Sequence, residues 1–241
     1  MGLFDKKICD ICGEKIGLLG NRKLDDGNLC KNCARKLSPW FEERRNSTVE
    51  DIKRQLEYRE KNKKAVMDFC ITRQINTRNY TVFIDDHKNN FTVARKLDVS
   101  ENPDIVPLSA VVQCRVEVDR QQNEETYTKD GKTVSYQPPV YNYEFDYTMR
   151  IRVNTPWFDD MDFRLNTFSI SSERRAELME VEQTGYQIIA ALTPNAAGMQ
   201  PEMAGMNMNE GMQSEGSSWK CQCGAENTGR FCEYCGMQRP F

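Results

Sequence analysis

Residues 141–153 read Y-N-Y-E-F-D-Y-T-M-R-I-R-V. Tyr141, Tyr143, Phe145, Tyr147, Met149, Ile151 and Val153 take the odd positions. Asn142, Glu144, Asp146, Thr148, Arg150 and Arg152 take the even ones. Successive side chains of a strand point to opposite faces, so this stretch predicts one long strand with one buried and one wet face. The same period of two extends upstream, where Val112, Cys114, Val116 and Val118 alternate with Gln113, Arg115, Glu117 and Asp119. Between the two runs, Asp130-Gly131 marks a tight turn, the tip of an extended hairpin.

Working outward, Tyr80 to Asp86, a turn at His87-Lys88-Asn89-Asn90, and Phe91 to Arg95 predict a further hairpin. Met161, Phe163 and Leu165 suggest a short strand. Residues 172–192 change to helical spacing, with Ser171 or Ser172 as N-cap. Ala176, Met179, Tyr186 and Ile189 share one face, with Leu178, Val181 and Ile188 beside it, and Pro194 ends the run. The fold class is therefore α+β, with residues 66–193 an antiparallel β-barrel or sheet domain closed by a C-terminal helix. In element order alone, that domain resembles a pleckstrin-homology-like fold. Residues 47–65 predict a helix that packs lightly through Ile52, Leu56 and either Arg59 or Glu60. Ser47 would be its N-cap and Glu50 the other half of a capping box, with Arg59 to Lys64 as a solvated end.

Eight of the ten cysteines fall into two clusters. Cys9-x2-Cys12 and Cys30-x2-Cys33, seventeen residues apart, give each side of a tetrahedral zinc site two thiolates. The turn Asp26-Gly27-Asn28 fits a hairpin between the pairs, and Ala34-Arg35-Lys36-Leu37 starts a helix after the second pair, the order of a treble-clef finger. Lys7, Lys15, Lys31 and Arg35 flank the site. The closing set is Cys221-x1-Cys223 and Cys232-x2-Cys235, each pair followed by a glycine. So small a module cannot fold on apolar burial alone and would draw its folding energy from the metal. The expectation is two structural zinc ions. The remaining thiols, Cys70 and Cys114, read as buried core residues.

The segments are then a four-cysteine finger over residues 1–40, a connecting helix over 41–65, the β-rich domain over 66–193, a linker over 194–218 and a zinc ribbon over 219–241. The linker is Met- and Gly-rich, without aromatic residues, Val, Ile or Leu. Such a composition predicts disorder, with a reach of roughly 28 Å. The opening cysteine pairs, the Ser47 helix and the Asp85-Asp86-His87-Lys88-Asn89-Asn90 hairpin resemble a bacterial family of unknown function. Its members begin with a four-cysteine finger and often carry a barrel-like domain behind it. The resemblance covers about residues 1–120 and implies zinc binding, with no known activity. The tail resembles short zinc-ribbon modules that end many bacterial cytosolic proteins.

The chain has 241 residues, 39% hydrophobic and 29% charged, with a net charge of −3. No run reaches the roughly 20 apolar residues of a membrane helix, and the first residues lack the apolar core of a signal peptide. A cytoplasmic protein is expected. Residues 1–65 hold 16 Lys and Arg against 11 Asp and Glu, whereas residues 66–193 hold 14 against 20. A single histidine, no phosphate loop, no nucleophile elbow and no open metal position argue against an enzyme. The favoured reading is an adaptor that binds another protein through its β-rich domain and tethered ribbon, by strand addition at an exposed edge. The first alternative is nucleic-acid binding through the basic finger and the tail aromatics Trp219, Phe231 and Tyr234. Against it, the basic segment is only weakly positive once two zinc-bound thiolate pairs are counted. A weaker alternative is a membrane-surface adaptor, which the acidic middle disfavours.

Overall fold

Two short strands open the finger. β1 (Arg22–Lys23) and β2 (Asn28–Leu29) pair antiparallel, and the turn between them closes through Leu24 N–H to the Gly27 carbonyl at 2.9 Å. Helix α1 (Lys31–Ala34) follows. After a 3-10 turn at Glu43–Asn46 comes α2 (Val49–Met67). These come from a computed structural model that describes residues 7–193 and, beyond them, only the backbone of Trp219–Lys220 and Glu226–Asn227. The chain divides into two units, Met1–Gly198 and Met199–Phe241. In the second, β13 (Trp219–Lys220) pairs antiparallel with β14 (Glu226–Asn227). The expected linker over 194–218 and the rest of the expected ribbon lie outside the described residues.

The capping box of α2 is one residue later than the sequence suggests. Thr48, not Ser47, is the N-cap. Its hydroxyl accepts from the Asp51 N–H at 3.2 Å, and the Asp51 carboxylate accepts from the Thr48 N–H at 3.0 Å. Ser47 is occupied elsewhere, donating its hydroxyl to the Glu43 carbonyl at 2.8 Å. The buried stripe of α2 is Ile52, Gln55, Arg59, Asn62 and Val66. Arg59 is therefore interior, not part of a solvated helix end. Its guanidinium donates to Asp104 Oδ1 at 2.5 Å, to the Lys36 carbonyl at 3.2 Å and to the Asn102 carbonyl. Ser38 donates to the other Asp104 oxygen at 2.8 Å. Asn62 donates to Asn102 Oδ1 and to the Pro103 carbonyl, and accepts from the Ile105 N–H. Most buried polar groups are hydrogen-bonded, and this network joins the end of the finger, α2 and the 102–105 loop; the side chain of Gln55 in the same stripe has no such partner among the described residues.

Strands β3 (Arg73–Asn76), β4 (Thr81–Asp85), β5 (Asn90–Ala94) and β6 (Val106–Pro107) form one antiparallel sheet in sequence order. The expected turn separates β4 from β5. The Asp85 carboxylate accepts from the His87 and Lys88 N–H groups at 3.1 Å each, and Asn89 takes a φ of 52°. A second sheet is built on β10 (Tyr141–Val153). On one side it pairs with β7 (Val111–Glu124). On the other lie β11 (Phe163–Arg164) and β12 (Ile170–Ser171). The hairpin of β8 (Thr126–Lys129) and β9 (Lys132–Ser135) extends from β7 and β10, with Asp130-Gly131 at its tip. Between β11 and β12, the Asn166 side chain takes the place of a strand, accepting from Tyr147 N–H at 2.7 Å and donating to the Phe145 carbonyl at 3.2 Å.

Phe145, Tyr147, Met149, Ile151 and Val153 are buried as the alternation predicts, whereas Tyr141 is exposed. The upstream run departs from it. Arg152 pairs with Gln113 and Val153 with Val111, so Val112 is the extra residue of a bulge and lies exposed. Cys70 is exposed as well, contrary to its reading as a core thiol. The described strands form separate antiparallel sheets and no closed barrel.

Helix α3 (Arg175–Leu192) starts later than Ser171 or Ser172 would place it, with no side-chain cap. Its buried face is Leu178, Val181, Gly185, Ile188, Ala191 and Leu192. Met179 and Tyr186, expected inside, are exposed. Gly185 sets this orientation, because a Cβ there would lie 2.5 Å from Val116 Cγ2 and 3.4 Å from Leu165 Cδ1. Gly185→Ala is accordingly expected to destabilise by up to about 2 kcal/mol. Overpacking against the stiff valine costs about 1–3 kcal/mol, and alanine returns about 1 kcal/mol of helix propensity. A urea midpoint above that of the parent would contradict this packing.

Candidate metal centre

Each side of the finger delivers two thiols by a backbone turn. Cys9 and Cys12 lie on a tight turn in which the Gly13 N–H donates to the Cys9 carbonyl at 2.8 Å and the Cys9 N–H to the Glu14 carbonyl at 2.9 Å. Gly13 closes it at a φ of +74°, a conformation that costs a side chain dearly. Cys30 caps α1, its sulfur accepting from the Cys33 N–H at 3.3 Å. The Cys30 N–H in turn donates to the Cys9 sulfur at 3.3 Å. Asp10, inside the first pair, accepts from the Asn28 N–H at 2.6 Å and so ties that turn to the hairpin.

The four sulfurs lie within 4.8 Å of one another, and Cys12 and Cys30 are 3.7 Å apart. That is far longer than a disulfide, at about 2.05 Å. Ligand sulfurs around a tetrahedral ion with bonds of about 2.3 Å stand about 3.8 Å apart. The group could therefore hold a metal ion such as zinc. The thiols differ in their electrostatics. Burial pushes the Cys9 thiol up, but the backbone N–H groups of Cys12, Cys30 and Ile11 outweigh that and bring it to about 7. Burial and the neighbouring Cys12 and Cys30 sulfurs drive Cys33 the other way. Four thiolates this close repel one another unless a cation sits among them, and four protein ligands leave no position open for a substrate.

The site is welded to its surroundings. Cys9, Cys30 and Cys33 belong to one apolar cluster with Ile16, Leu24, Leu29, Leu37 and Ile52. Asp26 accepts from the Val49 N–H at 2.7 Å and so caps α2 from the finger's own turn. A Cβ on Gly27 would lie 2.6 Å from Val49 Cγ2 and 2.8 Å from the Asp10 carboxylate. The sequence marks Asp26-Gly27 as a turn. Nothing in it signals that the same two residues clamp the helix, because Val49 is more than twenty positions away.

Residues 7–55 match a family described as a domain of unknown function, DUF4428. The match takes in all four cysteines and runs into α2, where Val49 and Ile52 pack on the finger's core. Neither curated proteins nor solved structures yield a match to the chain.

Of the other predicted ligands, Cys221, Cys223, Cys232 and Cys235 lie outside the described residues. Among the remaining candidates, Cys114 is half-buried rather than a core residue; its sulfur lies 3.6 Å from that of Met149, and burial there pushes the thiol up to about 12. His87 occupies the β4–β5 turn. No helix among the described residues is long and apolar enough to cross a membrane.

Proposed function

We propose that this chain is a zinc-stabilised adaptor that binds another protein through its β-rich part. The observation that carries the reading is the closed four-cysteine site fused to α2 and the sheets. A metal held by four protein thiolates has a structural task, and an element so firmly joined serves to hold a surface rather than to turn over a substrate. Strand β7 pairs with β10 alone among the described strands, and an edge left open offers a peptide main-chain hydrogen bonds. The succession of antiparallel strands ending in α3 supports a pleckstrin-homology-like relationship for residues 66–193. The second cysteine set supports a zinc ribbon on a tether, acting as a second contact.

Three measurements test this. Native mass spectrometry is expected to find two zinc ions per chain, one lost in Cys30→Ser and the other in Cys223→Ser. A single ion would remove the ribbon from the proposal. Hydrogen exchange on the full chain with a captured protein partner is expected to protect residues 111–124, unchanged by nuclease. Micromolar or tighter binding of single-stranded nucleic acid, falling steeply with salt, would replace this reading with nucleic-acid recognition.

A further inference from the structure

We propose that the Gly17-Leu18-Leu19-Gly20 loop of the finger is a wedge that inserts into an anionic lipid surface. Leu18 and Leu19 are 94% and 93% exposed, the most exposed large hydrophobic residues among those described. They are presented on a fixed base. The Gly20 N–H donates to the Gly17 carbonyl at 2.9 Å, and Ile16, directly before the turn, is buried in the finger's core. Ile8, paired with Lys15 across a single bridge, is half-exposed. Neither leucine serves the core, and two neighbouring leucines held in water are unfavourable unless something covers them.

The charges around the loop indicate what covers it. Lys15 and Lys31 line a cleft of about 150 Å³ together with Gly17 and Gly20. Arg22 reaches back to the Leu19 carbonyl at 3.4 Å. None of these three cations forms an ion pair among the described residues. Glu14 is the one acidic residue lining the cleft, and Cys30 of the four-cysteine group lines it as well. Apolar side chains at a tip with cations at its base match a bilayer's acyl boundary below a layer of anionic headgroups. A protein partner would need a groove shaped to a two-residue protrusion, whereas a bilayer receives it without shape complementarity. The acidic excess of residues 66–193 would be repelled by the same surface and would orient the molecule finger-first.

The wedge depends on a metal-held finger, so the test separates the two. The full-length zinc-loaded chain is sedimented with vesicles of phosphatidylcholine alone and of phosphatidylcholine with phosphatidylglycerol, and the metal content of each variant is measured. Salt-sensitive binding to the anionic vesicles only is expected. Leu18→Ser/Leu19→Ser should weaken it more than about tenfold with metal content unchanged, and Leu18→Phe/Leu19→Phe should retain it. Lys15→Glu/Lys31→Glu should abolish the difference between the two vesicle types. Parent-like binding by the serine variant with its metal in place would overturn the proposal. So would absence of vesicle binding by the metal-loaded parent, or leucines needed only to retain a protein partner.

Discussion

Arg59→Met is expected to destabilise the chain by about 3–5 kcal/mol, the usual cost of removing one partner from a buried ion pair. The side chains of Arg59 and Asp104 are 5% and 0% exposed. A surface pair would contribute under about 1 kcal/mol. Here the substitution strands a carboxylate in the interior with only Ser38 to satisfy it, and it also frees the Lys36 and Asn102 carbonyls. The measurement is the guanidinium midpoint near neutral pH, read through sheet and finger probes. Both should shift together, because the guanidinium bridges the finger's end, α2 and the 102–105 loop. Adding Asp104→Leu should recover a large part of the loss, since the penalty lies in the unpaired charge. The double-mutant cycle then gives the coupling directly. A loss below about 1 kcal/mol, or a coupling near zero, would mean that apolar packing alone holds the finger to the sheets.

This network also shows where the sequence stops being legible. Strand β10 could be read because alternation is a local property and its inward residues are apolar. The four-cysteine cluster of residues 9–33 could be read because four cysteines at paired spacing have few uses other than holding a metal. The stripe Ile52, Gln55, Arg59, Asn62, Val66 has the helical spacing of a buried face, yet three of its five members are polar. Beside Glu60, Lys61, Lys63 and Lys64, Arg59 looks solvated until Asp104 is seen against it, and their proximity is a tertiary fact. On α3 the decisive residue is Gly185. A search for apolar side chains turns Met179 and Tyr186 inward, whereas the helix meets Val116 of β7 where it has no side chain. Val112 departs from the expected face for the same kind of reason, because a bulge resets the period of two and is specified by the partner strand. Whether strands close into a barrel depends on pairing between distant segments, which no local pattern fixes.

Withdrawal of the metal that we propose Cys9, Cys12, Cys30 and Cys33 hold should have the largest effect of all. Structural zinc supplies on the order of 10 kcal/mol to small fingers. Without it, the finger's own apolar cluster is too small to offset the entropy of ordering residues 7–37. The thiols would also lose the charge compensation that lets them stay close. After treatment with a strong chelator, hydrogen exchange is expected to accelerate at Asp10, Gly13, Cys30 and Cys33, whose N–H groups are bonded within the site. Loosening should run into the first turn of α2, where Asp26 caps Val49, and fade beyond Arg59, which Asp104 anchors to the 102–105 loop. The sheets should keep their protection. Cys33→Ser should reproduce the effect without a chelator, which separates loss of metal from any action of the chelator on the tail. If the metal leaves and the amides of residues 7–37 remain protected, the cluster of Leu24, Leu29, Leu37 and Ile52 holds the finger by itself. The four cysteines would then be a site that a metal visits rather than one that builds the fold.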